Sequence, residues 1–159
     1  AACGFHLRGT GQQLVQMPPV FLTSSSYRES DFALADGLSQ IGALAADRGS
    51  AGRVELVREQ LRRRPLATAG QGSATHYELR LELTYQFYVG GQGVKSEQSN
   101  TREGGVTRSV YAERNYEFDA NNLATNSQEE ELLMTEMRRE LAGQIVRQLA
   151  AMQESSVER

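Results

Sequence analysis

Residues 75–89 alternate between apolar and polar side chains without a break. Tyr77, Leu79, Leu81, Leu83, Tyr85, Phe87 and Val89 are interleaved with His76, Glu78, Arg80, Glu82, Thr84, Gln86 and Tyr88. A period of two puts alternate side chains on opposite faces of a strand, so one face is buried and one is wet. A helix would scatter the same residues around its axis. A second alternation sets Val110, Ala112, Tyr116 and Phe118 against Ser109, Tyr111, Glu113 and Glu117. Gly90 to Gly105, between the runs, is polar and rich in glycine. The two runs predict a long antiparallel hairpin with a loose connection. A sheet with one apolar face needs a cover, which restricts the chain to layered folds.

Two helical stripes can supply that cover. Ser30 is a candidate N-cap with Asp31 in the first turn, where negative charge favours the helix dipole. Phe32, Leu34, Leu38, Ile41 and Leu44 then predict a helix to about residue 47, stopped by Gly49. Gly37 and Gly42 inside it each cost about 1 kcal/mol relative to Ala, so packing must hold it. Residues 119–126 read as a turn. Ser127 with Glu130 has capping-box spacing. Leu133, Met134, Met137, Leu141, Ile145, Leu149 and Met152 form one stripe of a helix of about 25 residues, with Glu136, Glu140 and Arg147 off it. Pro18-Pro19 lead into Val20-Phe21-Leu22, a short first strand. Residues 53–69 fit two templates. Val54, Val57 and Leu61 have helical spacing, whereas Val54 and Leu56 alternate with Glu55 as in a strand. Composition favours the helix, which Pro65 would end at about Arg64.

At 159 residues the chain is of single-domain size. The net charge of −3 argues against a nucleic-acid partner, because no basic excess is available to neutralise phosphates. It also makes attachment to an anionic membrane by charge alone unfavourable. No run of about 18 apolar residues is present. No catalytic constellation is expected. His76 falls on the wet face of its strand, and Cys3 with His6 would be a nucleophile and base in a terminal segment that no core holds. No Cys-x-x-Cys or His-x-x-x-His spacing suggests a metal, and no cofactor motif appears. Gly90-Gly91-Gln92-Gly93 lacks the Lys-Ser/Thr of a phosphate loop. Arg58, Arg62, Arg63 and Arg64 are the one dense basic cluster. Such a cluster suits a protected sheet edge or a phosphate ligand.

Cys3 is the single cysteine, so no internal disulfide is possible. Ala1-Ala2-Cys3 reads either as the end of a bacterial lipoprotein signal or as a terminal thiol. The segment Cys3-Gly4-Phe5-His6-Leu7-Arg8-Gly9, with the Tyr77-Glu78-Leu79-Arg80 strand and the C-terminal helix, resembles the LPS-assembly lipoprotein family LptE, also called RlpB. The resemblance implies a strand at 53–69 and an α+β fold with two helices on one face of a four-stranded mixed sheet, in the order β-α-β-β-β-α. It implies residues 1–16 as lipoprotein tether and 17–152 as one domain; residues 153–159 are polar and are expected to fray. It further implies lipidation of Cys3 and anchoring on the periplasmic side of the outer membrane, which Gly4 suits. The implied partners are the β-barrel LPS translocon LptD, which the chain would plug, and lipopolysaccharide. By its chemistry, not by the resemblance, the cluster of Arg58, Arg62, Arg63 and Arg64 is the candidate contact for lipopolysaccharide phosphates. The loop from Gly90 to Gly105 is expected to order on the barrel. Basic residues that contact LPS in the family match positions near Gly70 and Asn126, which are not basic here. A lipoprotein module of another envelope-assembly machine is the alternative.

Overall fold

The computed structural model describes residues 16–49, 51–69, 73–90 and 105–157. The elements are β1 (Val20–Thr23), α1 (Arg28–Gln40), β2 (Gly52–Ala69), β3 (Ser73–Tyr88), β4 (Val106–Glu117) and α2 (Leu123–Val157). They form one sheet in the order β1-β2-β3-β4. The pair β1–β2 is parallel and the other two pairs are antiparallel. This is the expected α+β arrangement, with α1 and α2 covering one face of a mixed sheet.

The hairpin buries the predicted face. Leu81 lies opposite Ala112 and Leu83 opposite Val110. Leu79, Leu81, Leu83, Tyr85 and Phe87 are each at most 1 % exposed, and the residues between them are partly exposed. Val89 lies just past β3 and leaves the pattern, at 44 % exposure.

Residues 53–69 are strand, as the family resemblance implied and against their helical composition. β2 pairs with β3 along nearly all of its length. A bulge between Leu56 and Arg58 leaves Val57 without an opposite residue. Val57 and Leu61, which would have anchored a helix, are exposed. β1 covers only Gly52 to Glu55, so the rest of β2 is an edge strand. Pro65 is tolerated there because an edge strand need not donate on its outer side.

Both boundaries of α1 differ from expectation. α1 begins at Arg28, and Ser30 is a buried residue of its first turn rather than the N-cap. Asp31 instead accepts the Ser25 N–H at 2.7 Å and the Ser25 hydroxyl at 3.0 Å, which pins the preceding loop. α1 ends at Gln40, not near Asp47. Gly42 has a φ of 69° and donates to the Ser39 carbonyl, while Ala43 donates to the Leu38 carbonyl, both at 2.9 Å. That pair of bonds is a Schellman motif, so Gly42 rather than Gly49 stops the helix. Leu44 consequently lies beside Val20 as an isolated bridge, and Phe32, which precedes the expected stripe, is 68 % exposed.

α2 is longer at both ends than predicted. Its start moves into the expected turn, where the Asn122 side chain accepts the Thr125 N–H at 3.3 Å. Ser127 and Glu130 form no capping box. The Ser127 hydroxyl donates to the Leu123 carbonyl, and Glu130 accepts from the Tyr116 hydroxyl. At the far end the helix continues to Val157 and buries Gln153, where a frayed tail was expected. Beside the predicted stripe, Ala142, Val146 and Ala150 are also buried. They form a second stripe because α2 meets α1 as well as the sheet, with Ala142 and Val146 approaching Gly37.

Candidate functional site

The period of two sorts the four clustered arginines onto two faces. Arg58, Arg62 and Arg64 lie opposite Thr84, Arg80 and Glu78, on the open side of the sheet. Arg63 lies opposite Leu79 and faces the helices. The cluster that looks continuous in the sequence is therefore not one patch.

Arg63 is built into the fold. Its guanidinium sits 3.9 Å from the centre of the Tyr77 ring and 5.3 Å from that of Phe118. It also reaches the Glu130 carboxylate at 3.4 Å. The ring faces and the carboxylate hold one cation over the end of the core. Arg63→Ser should lower stability by about 1–2 kcal/mol through lost stacking and lost cover. Arg62→Ser, one position away, should stay within about 0.5 kcal/mol. Equal melting temperatures for the two variants would contradict this division.

The open face is polar along its length. Arg80 bonds to Glu113 at 2.7 Å and stacks 3.8 Å from the centre of the Tyr111 ring. The Glu113 bond holds the Arg80 pKa above its ordinary value, opposed by partial desolvation. Arg53 lies 4.1 Å from the centre of the Tyr88 ring, and Thr84 and Ser109 share a hydrogen bond of 2.8 Å. Arg64 pairs with Glu78 at 3.0 Å. Arg58 and Arg62 both turn toward Gln60, at 3.0 and 3.4 Å. Gln60, Arg80 and Tyr111 were not candidate site residues in the sequence, because only strand pairing brings them beside the arginines.

The covered face holds the titratable groups that burial perturbs. The Tyr85 hydroxyl donates to Gln148 at 2.6 Å, and burial pushes its pKa up to about 12, with Arg108 acting slightly against the rise. Burial likewise raises Tyr116, helped by its bond to Glu130. An unfolded tyrosine ionises near pH 10. The folded state therefore holds these protons more tightly. That stabilisation is complete below about pH 10 and is lost as pH rises through the folded value. Alkaline unfolding followed at 295 nm should begin in this window, and Tyr85→Phe should move its edge upward. An unmoved edge would exclude Tyr85 as a cause.

Cys3, His6 and residues 91–104 of the glycine-rich loop lie outside the described residues. His76 is exposed, beside the Thr75 hydroxyl at 3.2 Å. Among the described residues no group of His, Cys, Asp and Glu side chains could hold a metal ion.

A helix-backed sheet with an open, charged and cross-linked face defines a two-layer α+β module. The lipopolysaccharide-assembly family LptE matches residues 23–149, and the chain belongs to that family. Its structure is similar to that of rare lipoprotein B from Shewanella oneidensis, with a TM-score of 0.72 and 23 % identity over 89 % of this chain and 99 % of that one. A minor lipoprotein from Acinetobacter baumannii is similar at a TM-score of 0.63 and 23 % identity, over 84 % and 90 % of the two chains. An uncharacterized lipoprotein B from Nitrosomonas europaea gives a TM-score of 0.59 and 22 % identity, over 98 % and 96 %. At these identities the likenesses establish the fold. The comparison with curated proteins returns no match.

Proposed function

We propose that this chain is an outer-membrane lipoprotein, lipidated on Cys3, that plugs the lumen of the β-barrel translocon LptD and assists lipopolysaccharide in reaching the cell surface. The family match over residues 23–149 carries this reading. The open sheet face agrees with it, because its polar rows suit the polar interior of a large outer-membrane barrel. No helix among the described residues is long and apolar enough to cross a membrane. Attachment on this reading is through the acyl chains on Cys3, each buried CH₂ contributing about 0.8 kcal/mol. The role is binding and assembly rather than catalysis. Lipopolysaccharide contact through Arg58, Arg62, Arg63 and Arg64 is part of the proposal, with Arg63 the least available because it is stacked against Tyr77.

The test is expression with a complete signal peptide in a Gram-negative host, followed by membrane fractionation and affinity capture. The chain should travel with the outer membrane and co-purify with a large β-barrel identified by mass spectrometry. Cys3→Ala should release it to the periplasm in cells depleted of that barrel. Membrane retention of Cys3→Ala without the barrel would refute the anchor, and capture of a different assembly machine would refute the partner.

A further inference from the structure

Beyond Glu55, the outer side of β2 carries no strand among the described residues, and Arg58, Gln60 and Arg62 occupy successive open-face positions on it. Arg58 Nη2 donates to Gln60 Oε1 at 3.0 Å, and Arg62 Nη2 donates to the same oxygen at 3.4 Å. Two guanidiniums therefore converge on one neutral acceptor. Neither forms an ion pair among the described residues, whereas Arg63, Arg64, Arg80, Arg114 and Arg138 each reach a glutamate. Drawing two cations together without a counter-ion is electrostatically unfavourable, and a bound anion would reverse the sign of that interaction. Guanidinium forks match phosphate oxygens through paired N–H donors, which a single amide oxygen only partly satisfies.

We propose that Arg58 and Arg62 form a two-guanidinium site for a phosphomonoester, with the Gln60 amide oxygen as its internal stand-in. A competing anion on the neighbouring strand is Glu82, which lies opposite Gln60 and acts on Arg80. Arg80 itself is held by Glu113 and flanks the site without joining it. Glu55 lies further along the same face and Glu78 is held by Arg64. This inference rests on the proposed lipopolysaccharide contact only for the identity of the lipid. The site chemistry stands on the Arg58–Gln60–Arg62 geometry.

Two measurements separate those parts. In the first, inorganic phosphate is titrated into the chain labelled for arginine Nε–Hε NMR signals. The Arg58 and Arg62 signals should shift together and saturably, and Glu82→Gln should tighten the binding. Uniform shifts at all exposed arginines, or none, would overturn the site. In the second, co-sedimentation uses phosphatidylcholine vesicles carrying the bisphosphorylated lipid moiety of lipopolysaccharide, or the same lipid after phosphatase treatment. Dephosphorylation and the double substitution Arg58→Ser with Arg62→Ser should each weaken binding by about tenfold or more, with an unchanged melting temperature. Phosphate-dependent vesicle binding that survives the double substitution would overturn the site and leave the lipopolysaccharide contact standing. Saturable phosphate shifts without vesicle binding would uphold the site and remove the lipid as its ligand.

Discussion

Leu81→Ala is expected to destabilise the protein by about 2–5 kcal/mol, the range for truncating a buried leucine to leave a cavity. Leu81 has no exposed surface and sits at the middle of β3, opposite Leu61 on one side and Ala112 on the other. It belongs to the apolar cluster that includes Met137, Leu141 and Ile145 of α2. The sheet and helix layers are close-packed around it and can collapse only in part. For a chain of this size each kcal/mol moves the melting temperature by about 2–4 °C, so the variant should melt far below the parent. Glu82→Ala, the next residue, points to the open face and should change stability by about 0.5 kcal/mol or less. Chemical denaturation of both variants checks the pair. Similar losses at the two positions would contradict the register.

The second large effect should come from Glu59→Ala. Glu59 lies opposite Leu83, so it points from the β2 edge toward the helices. It accepts from the Ser30 hydroxyl at 2.5 Å and from Arg138 at 3.1 Å, joining β2 to α1 and α2. Arg138 also reaches Glu29 at 2.6 Å. The side chains of Glu59 and Arg138 are only 18 % and 16 % exposed, and Arg138 Nε is buried without a hydrogen-bond partner. Removing Glu59 strands the Arg138 charge against the core and leaves the Ser30 hydroxyl unpaired. The expected cost is about 3 kcal/mol, at the low end for breaking a buried pair because the exposed Glu29 remains as a partner. Replacing both ions together, as Glu59→Leu with Arg138→Met, should cost much less, since no charge is then left uncompensated. If the double variant unfolds as readily as Glu59→Ala, the loss belongs to shape rather than to the unpaired charge.

These two effects differ in how far the residues themselves announced them. The Leu81 prediction follows from an unbroken alternation, because a strand's side-chain period is built into its backbone and survives any choice of partner. The Glu59 prediction does not. Glu59 stands in a stretch whose apolar residues fit a helix, and nothing local pairs it with Ser30 or Arg138. The N-terminal run from Cys3 to Gly9 pointed to the family that the match over residues 23–149 establishes. That run itself lies outside the described residues.

What the sequence by itself determined is the set of patterns that depend on near neighbours. These are the buried and open faces of β3 and β4, the main stripe of α2, and the absence of metal-ligand spacing. Tertiary structure decided whatever depends on residues far apart in the chain. Pairing with β3 turned residues 52–69 into a strand against their own composition, because a full ladder of backbone bonds outweighs a weak helical preference. The backbone conformation at Gly42, with the return of residues 43–45 beside β1, ended α1 early. The bulge at Val57 then set which arginines share a face. One inserted residue reverses the parity of everything beyond it. That reversal gathers Arg58, Gln60 and Arg62 on the open side and turns Glu59 and Arg63 toward the helices.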